Sequence, residues 1–168
     1  MSVTVPFEAP IYSTSGPVPI PAVPDGSWAA LGRRRSGGRT DTWTRVRQLP
    51  ADARAASEAR AHVRGSLESW DLDADGDVAH AAVLLTSELV TNALTHGESP
   101  VTVAVSLSGG TLRVEVHDRS RFLPAPWPVI DSADAETGRG LLLVDTLATD
   151  WGFYRTPGGK AVYFTLAL

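Results

Sequence analysis

Cysteine is absent from this 168-residue chain, which excludes disulfides and thiolate metal ligands and fits a reducing compartment. Basic residues are also few. Lys160 is the only lysine, and 15 Lys and Arg stand against 19 Asp and Glu, for a formal net charge of -4. Binding a phosphate backbone needs clustered cations, so no direct nucleic-acid partner is expected; protein and small molecules are. Long apolar runs are missing too. The longest helical one, over 79–94, is interrupted by His80, Thr86, Ser87, Glu88, Thr91 and Asn92, so no membrane span is expected. The Met1 end has neither the cationic start nor the apolar run of a secretory signal, and a cytoplasmic location is the expectation. What the chain does have is 43% hydrophobic residues with 20% charged, enough for the core of one domain but not two.

Residues 1–41 carry Pro6, Pro10, Pro17, Pro19, Pro21 and Pro24 with no sustained period, and read as an extended or disordered arm. The Arg33-Arg34-Arg35 run within it reads as a solvated charge run. A folded domain is expected over 42–168. Residues 43–49 nearly alternate before Pro50 stops them, the pattern of an edge strand. Residues 51–70 are mostly strong helix formers, with Ala55, Ala59, Val63 and Leu67 on one face. A loop follows over 71–76, then Asp77 as N-cap and a helix over 78–96 closed by Gly97. Residues 101–107 and 111–118, joined by Ser108-Gly109-Gly110, form a β-hairpin. Residues 119–137, with Pro124, Pro126 and Pro128, form a long loop of the kind that tends to be functional. A helix from Gly138 to Ala148 and two strands, 151–155 and 160–168, complete the chain. Hairpins mixed with helices, without steady β-α-β alternation, predict an α+β two-layer sandwich with helices on one face of a mainly antiparallel mixed sheet.

Three features of this layout bear on chemistry. Glu88 and Asn92 stand four apart, so a carboxylate and a carboxamide share one stripe of an otherwise apolar helix. On that helix alone, both simply facing water is the plainer reading. Leu112, Val114, Val116 and Asp118 share one face of a strand, which points Asp118 toward the helix layer; a turn or cap role is the plainer reading of such a residue. Gly138-Arg139-Gly140 opens a helix after a long loop, letting backbone amides and the positive helix end approach an anion, although a plain loop-to-helix junction reads the same way. It matches neither a Walker loop nor the longer dinucleotide fingerprint. His96 reads as a satisfied helix-end histidine, with no second His or Cys at metal spacing.

In order, Glu88-x-x-x-Asn92-Ala93, Asp118 at a strand end and Gly138-x-Gly140-Leu141 after a loop of lid length resemble the histidine-kinase-like ATPases. The short form, with Asn92-Ala93-Leu94-Thr95-His96-Gly97 and Gly138-Arg139-Gly140-Leu141-Leu142-Leu143-Val144, is similar to the bacterial anti-sigma-factor serine/threonine kinases. The resemblance covers roughly 43–168. It implies ATP as the bound nucleotide, with Asn92 coordinating a phosphate-bridging Mg²⁺ and Glu88 as base in phosphoryl transfer. Asp118 would accept from the adenine amino group. Gly138, Arg139, Gly140 and Leu141 would receive the phosphates, and residues 119–137 would be the lid, its Arg119, Arg121 and Trp127 touching phosphate or partner. The implied partners are a sigma factor, an anti-anti-sigma protein or both, and a homodimer is expected.

The chain also departs from that pattern. After the adenine-binding Asp the family often has Asp-x-Gly-x-Gly, whereas Asp118-Arg119-Ser120-Arg121-Phe122 has neither glycine. The family's final glycine-threonine pair is represented by Gly159-Lys160-Ala161, which loses a hydroxyl and brings Lys160 as a cation near the phosphates. These departures suit a second expectation, a nucleotide-sensing protein-binding module without kinase activity.

Overall fold

Two glycines set the geometry of the central hairpin. Gly109 and Gly110 hold φ at 57° and 76°, the doubly left-handed turn whose twist matches two antiparallel strands. They join β2 (Val101–Ser108) to β3 (Thr111–Asp118). The edge strand β1 (Thr42–Leu49) pairs with β2 from Thr42↔Ser108 to Leu49↔Val101. A second hairpin, β4 (Asp150–Thr156) and β5 (Gly159–Ala167), enters the sheet through β5, giving the order β1-β2-β3-β5-β4. Every pairing is antiparallel, so the sheet expected to be mainly antiparallel is wholly so. The structure is a computed structural model and describes residues 42–96, 100–120 and 139–168. The arm over 1–41, Gly97, Gly138 and most of the predicted lid, with Arg121 and Trp127, lie outside the described residues.

Among the described residues, three helices pack on one side of this sheet: α1 (Ala55–Ser69), α2 (Asp77–His96) and α3 (Arg139–Leu147). The stripe Ala55, Ala59, Val63 and Leu67 is buried in the core as its spacing predicts. The predicted start at 51 is early by a turn, the helix beginning at Ala55. The Asp52 carboxylate accepts from the Arg54 amide and its carbonyl from the Ala55 amide, so the chain after Pro50 makes an Asx turn before the helix begins. Asp77 is likewise not the N-cap. The Gly76 carbonyl accepts the first intrahelical bond, from the His80 amide at 3.0 Å, which places Asp77 inside the first turn, where an acid complements the helix dipole.

The core lies between the layers. Leu112, Val114, Val116, Val162, Phe164 and Leu166 meet Leu67, Leu85, Leu89 and Val90 from the helices, and each fully buried aliphatic or aromatic side chain contributes about 1.5–3 kcal/mol. By length and composition alone α2 is apolar enough to cross a membrane, contrary to the reading of its polar interruptions. Its Ala79, Ala82, Leu85, Leu89, Val90 and Ala93 are instead part of this core, which makes it the central packing helix of the fold.

The sheet's other face carries a polar network that the sequence reading did not anticipate. Arg113, Glu115 and His117 alternate with the core residues of β3. Glu115 accepts from Arg113 Nε at 2.7 Å, Tyr154 Oη at 3.0 Å and His117 Nε2 at 3.3 Å. The Arg113 guanidinium lies 3.7 Å above the Tyr163 ring. Burial pushes the Glu115 carboxyl up, but the His117 bond and the Arg113 charge outweigh it and hold it below the usual carboxylate range. The Tyr154 phenol is pushed up, first by burial and then by the Glu115 charge.

Candidate functional site

Glu88 and Asn92 are half-buried on α2, and the burial of Leu85, Leu89, Val90 and Ala93 fixes the rotation of the helix that presents them. Opposite them stands Gly140, in the first turn of α3 and itself buried. A Cβ at Gly140 would lie 2.8 Å from Glu88 Oε2, 3.2 Å from Asn92 Nδ2 and 3.3 Å from Glu88 Cβ. A side chain there would have to displace the Glu88 and Asn92 side chains. The first amides of a helix have no intrahelical partner and carry its positive end, so the contact puts an anion-attracting helix terminus beside a carboxylate and a carboxamide. Val144 and Leu141 seat α3 against the core. Leu141, expected at the phosphates, spends its side chain on that packing, while Arg139 begins the helix.

A second cluster forms where β3 and β5 meet. The register sets Asp118 opposite Lys160, on the helix side of the sheet. Lys160 Nζ lies 3.1 Å from Asp118 Oδ2, with 7% and 2% of the two side chains exposed, and the Ser120 amide donates to Asp118 Oδ1 at 2.8 Å. Gly159 makes this approach feasible: a Cβ there would fall 2.0 Å from the Asp118 carbonyl oxygen and 2.6 Å from Arg119 Cα. Lys160, expected near the phosphates, is thus committed to the strand-end carboxylate. Ala161 alternates to the opposite face, where it pairs with His117 and Tyr154, so its missing hydroxyl is not a loss to this cluster.

The oxygen donors suit a hard cation held mainly by a ligand's phosphates. Among the described residues no group of three or more His, Cys, Asp or Glu could hold a metal, so Mg²⁺ here would rely on the Asn92 carboxamide, with a ligand's phosphates and waters supplying the rest. Sequence reasoning singled out Glu88, Asn92, Asp118 and Gly140 as candidates but not the Asp118–Lys160 ion pair. The one available signal was a charge of each sign at the ends of two strands, and it is readable only once those strands are known to be neighbours.

Comparison with known proteins gives the family and the fold. A family model described as the histidine kinase-like ATPase domain matches residues 49–166. The structure is similar to that of the RsbU and RsbW domains of Rv1364c from Mycobacterium tuberculosis, with a TM-score of 0.56 and 25% identity over 74% of this chain and 32% of that one. This chain therefore spans about a third of that protein's crystallised length. No curated protein matches. With helices on one face of an antiparallel sheet and the Glu88–Asn92 pair against Gly140, the chain belongs to the histidine kinase-like ATPase domain family.

Proposed function

We propose that this chain is an ATP-binding regulator of the anti-sigma-factor kinase type, transferring the γ-phosphoryl group of Mg-ATP to a serine or threonine of a small partner protein. The observation that carries the reading is the closeness of Gly140 to Glu88 and Asn92, which gathers a carboxylate, a carboxamide and a helix N-terminus at one point. Such a reaction depends chiefly on positioning and charge neutralisation. Bound Mg²⁺ supplies that neutralisation, with Asn92 as its protein ligand. Glu88 takes the proton as the partner's hydroxyl oxygen bonds to the γ-phosphorus and the bond to the β-γ bridging oxygen breaks, leaving ADP. The α3 amides hold the phosphate oxygens, and Asp118 receives the adenine amino group.

The likeness to an RsbW domain supports a sigma factor or an anti-anti-sigma protein as partner; a cytoplasmic location and a homodimer are part of the same proposal. Glu88→Gln is the direct test: it removes the base and keeps a group of the same shape. Transfer to the cognate partner should fall at least about 100-fold, with Mg-ATP affinity within twofold of the parent by calorimetry. Undiminished transfer by this variant would remove Glu88 from the reaction. A second reading, a nucleotide-responsive binding module without transfer, draws on the Asp118–Lys160 pair, which alters the base end of the site. It predicts Mg-ATP binding by a protein that never labels its partner.

A further inference from the structure

Lys160 is the chain's only lysine, and it is buried with the carboxylate expected to meet adenine. An ammonium has three N–H donors and no acceptor. Among the described residues its ion-pair partner is one oxygen of Asp118, which cannot use all three. A carboxylate offers about four acceptor positions, and Asp118 spends one on the Ser120 amide and one on Lys160. The cluster is therefore charge-balanced yet unsaturated on both members, with donor capacity beside acceptor capacity in a site withdrawn from water. Leaving such capacity unused there is costly.

A purine edge matches that pair. Adenine presents an N6 amino donor next to the N1 acceptor, whereas guanine in the same orientation presents the O6 acceptor next to the N1–H donor. Resting on the nucleotide-binding reading above, we infer that Lys160 is a base-reading residue: its ammonium donates to adenine N1 while Asp118 accepts from the N6 amino group. Lys160 then acts at the base end of the nucleotide rather than at the phosphates. Guanine set in that orientation meets carboxylate against O6 and ammonium against N1–H, so both contacts become repulsive. The ion pair is also self-orienting. The β3–β5 register and the close approach of Gly159 hold both side chains at the strand ends before any base arrives, which lowers the ordering cost of binding.

The test is calorimetry on the full chain with Mg²⁺ and three probes, ATP, GTP and 1-deaza-ATP, in which N1 is replaced by C–H. The parent protein should bind 1-deaza-ATP on the order of tenfold or more weakly than ATP, the scale of a hydrogen bond from a charged donor. GTP should bind more weakly still. Lys160→Met, which keeps the length of the side chain without its donors, should lose ATP affinity and bind ATP and 1-deaza-ATP equally. A merely structural lysine would lower both affinities together and keep their ratio. Equal binding of ATP and 1-deaza-ATP by the parent protein, which needs no variant to fold, overturns the inference and leaves the nucleotide reading standing, as does GTP binding as tightly as ATP. Failure to bind any of the three overturns both.

Discussion

Strand β3 buries two carboxylates on opposite faces of the sheet, and they are in opposite condition. Glu115 is 2% exposed and Asp118 5%. Glu115 has three side-chain donors, from Arg113, His117 and Tyr154, and little acceptor capacity left. Asp118 has one backbone amide and one ammonium. Burial alone therefore does not mark a functional acid. A saturated buried carboxylate holds its neighbours in place, whereas the capacity to spare at Asp118 and Lys160 is what the proposed base contact uses.

The severest way to break this comparison is Glu115→Ala. It strands the Arg113 guanidinium and removes the partner of Tyr154, and unfolding by urea should show a loss of about 3 kcal/mol, while Mg-ATP affinity stays within twofold because the network faces away from the proposed nucleotide site. A tenfold loss of affinity would show the two faces to be coupled. The penalty should also depend on pH. The folded Glu115 carboxyl lies below its ordinary value of 4.5, so the parent protein has this stabilisation in full above that value and loses it as pH falls through the folded one.

His62 sharpens the same rule with a base. It is buried, and its Nε2 has no hydrogen-bond partner among the described residues. Burial pushes it from 6.5 down to about 4, with a backbone hydrogen bond at Arg45 acting in the opposite direction. Above pH 6.5 neither state is protonated; between 6.5 and 4 the unfolded chain takes a proton that the folded one refuses, so stability falls with pH in that window. The parent should lose about 2 kcal/mol between neutrality and roughly pH 4.5 through this group, and His62→Leu should flatten that part of the profile. A parent and variant with parallel profiles would place the orphaned nitrogen in contact with water. The smallest effect belongs to Glu58, a carboxylate paired with Arg47 at 2.9 Å but in contact with water. Glu58→Gln should change stability by less than about 0.5 kcal/mol, and a larger loss would mean that pairing, rather than burial, sets the scale.

Much of this was legible from residues alone. The Gly109-Gly110 turn, the alternation that turns Asp118 inward and the stripe carrying Glu88 and Asn92 all follow from local periods and turn chemistry. The Asx turn at Asp52 and the Gly76 cap were missed because side chain and backbone compete for the same hydrogen bonds over one or two residues. The Arg113-Glu115-His117 network was missed because alternating charges on a strand ordinarily face water, and only Tyr154 and Tyr163 from neighbouring strands enclose them.

The sequence by itself determined the elements, the faces they bury and which acids and amide are candidates for the site, because period and turn are properties of consecutive residues. Tertiary structure alone decided that β5 lies between β3 and β4 and so sets Lys160 on Asp118, that Gly140 closes on Glu88, and that α2 is a core helix rather than a span. Burial is non-directional and rewards any pairing of apolar strands or any apolar surroundings for a helix; which of them is realised depends on how all the elements fit together.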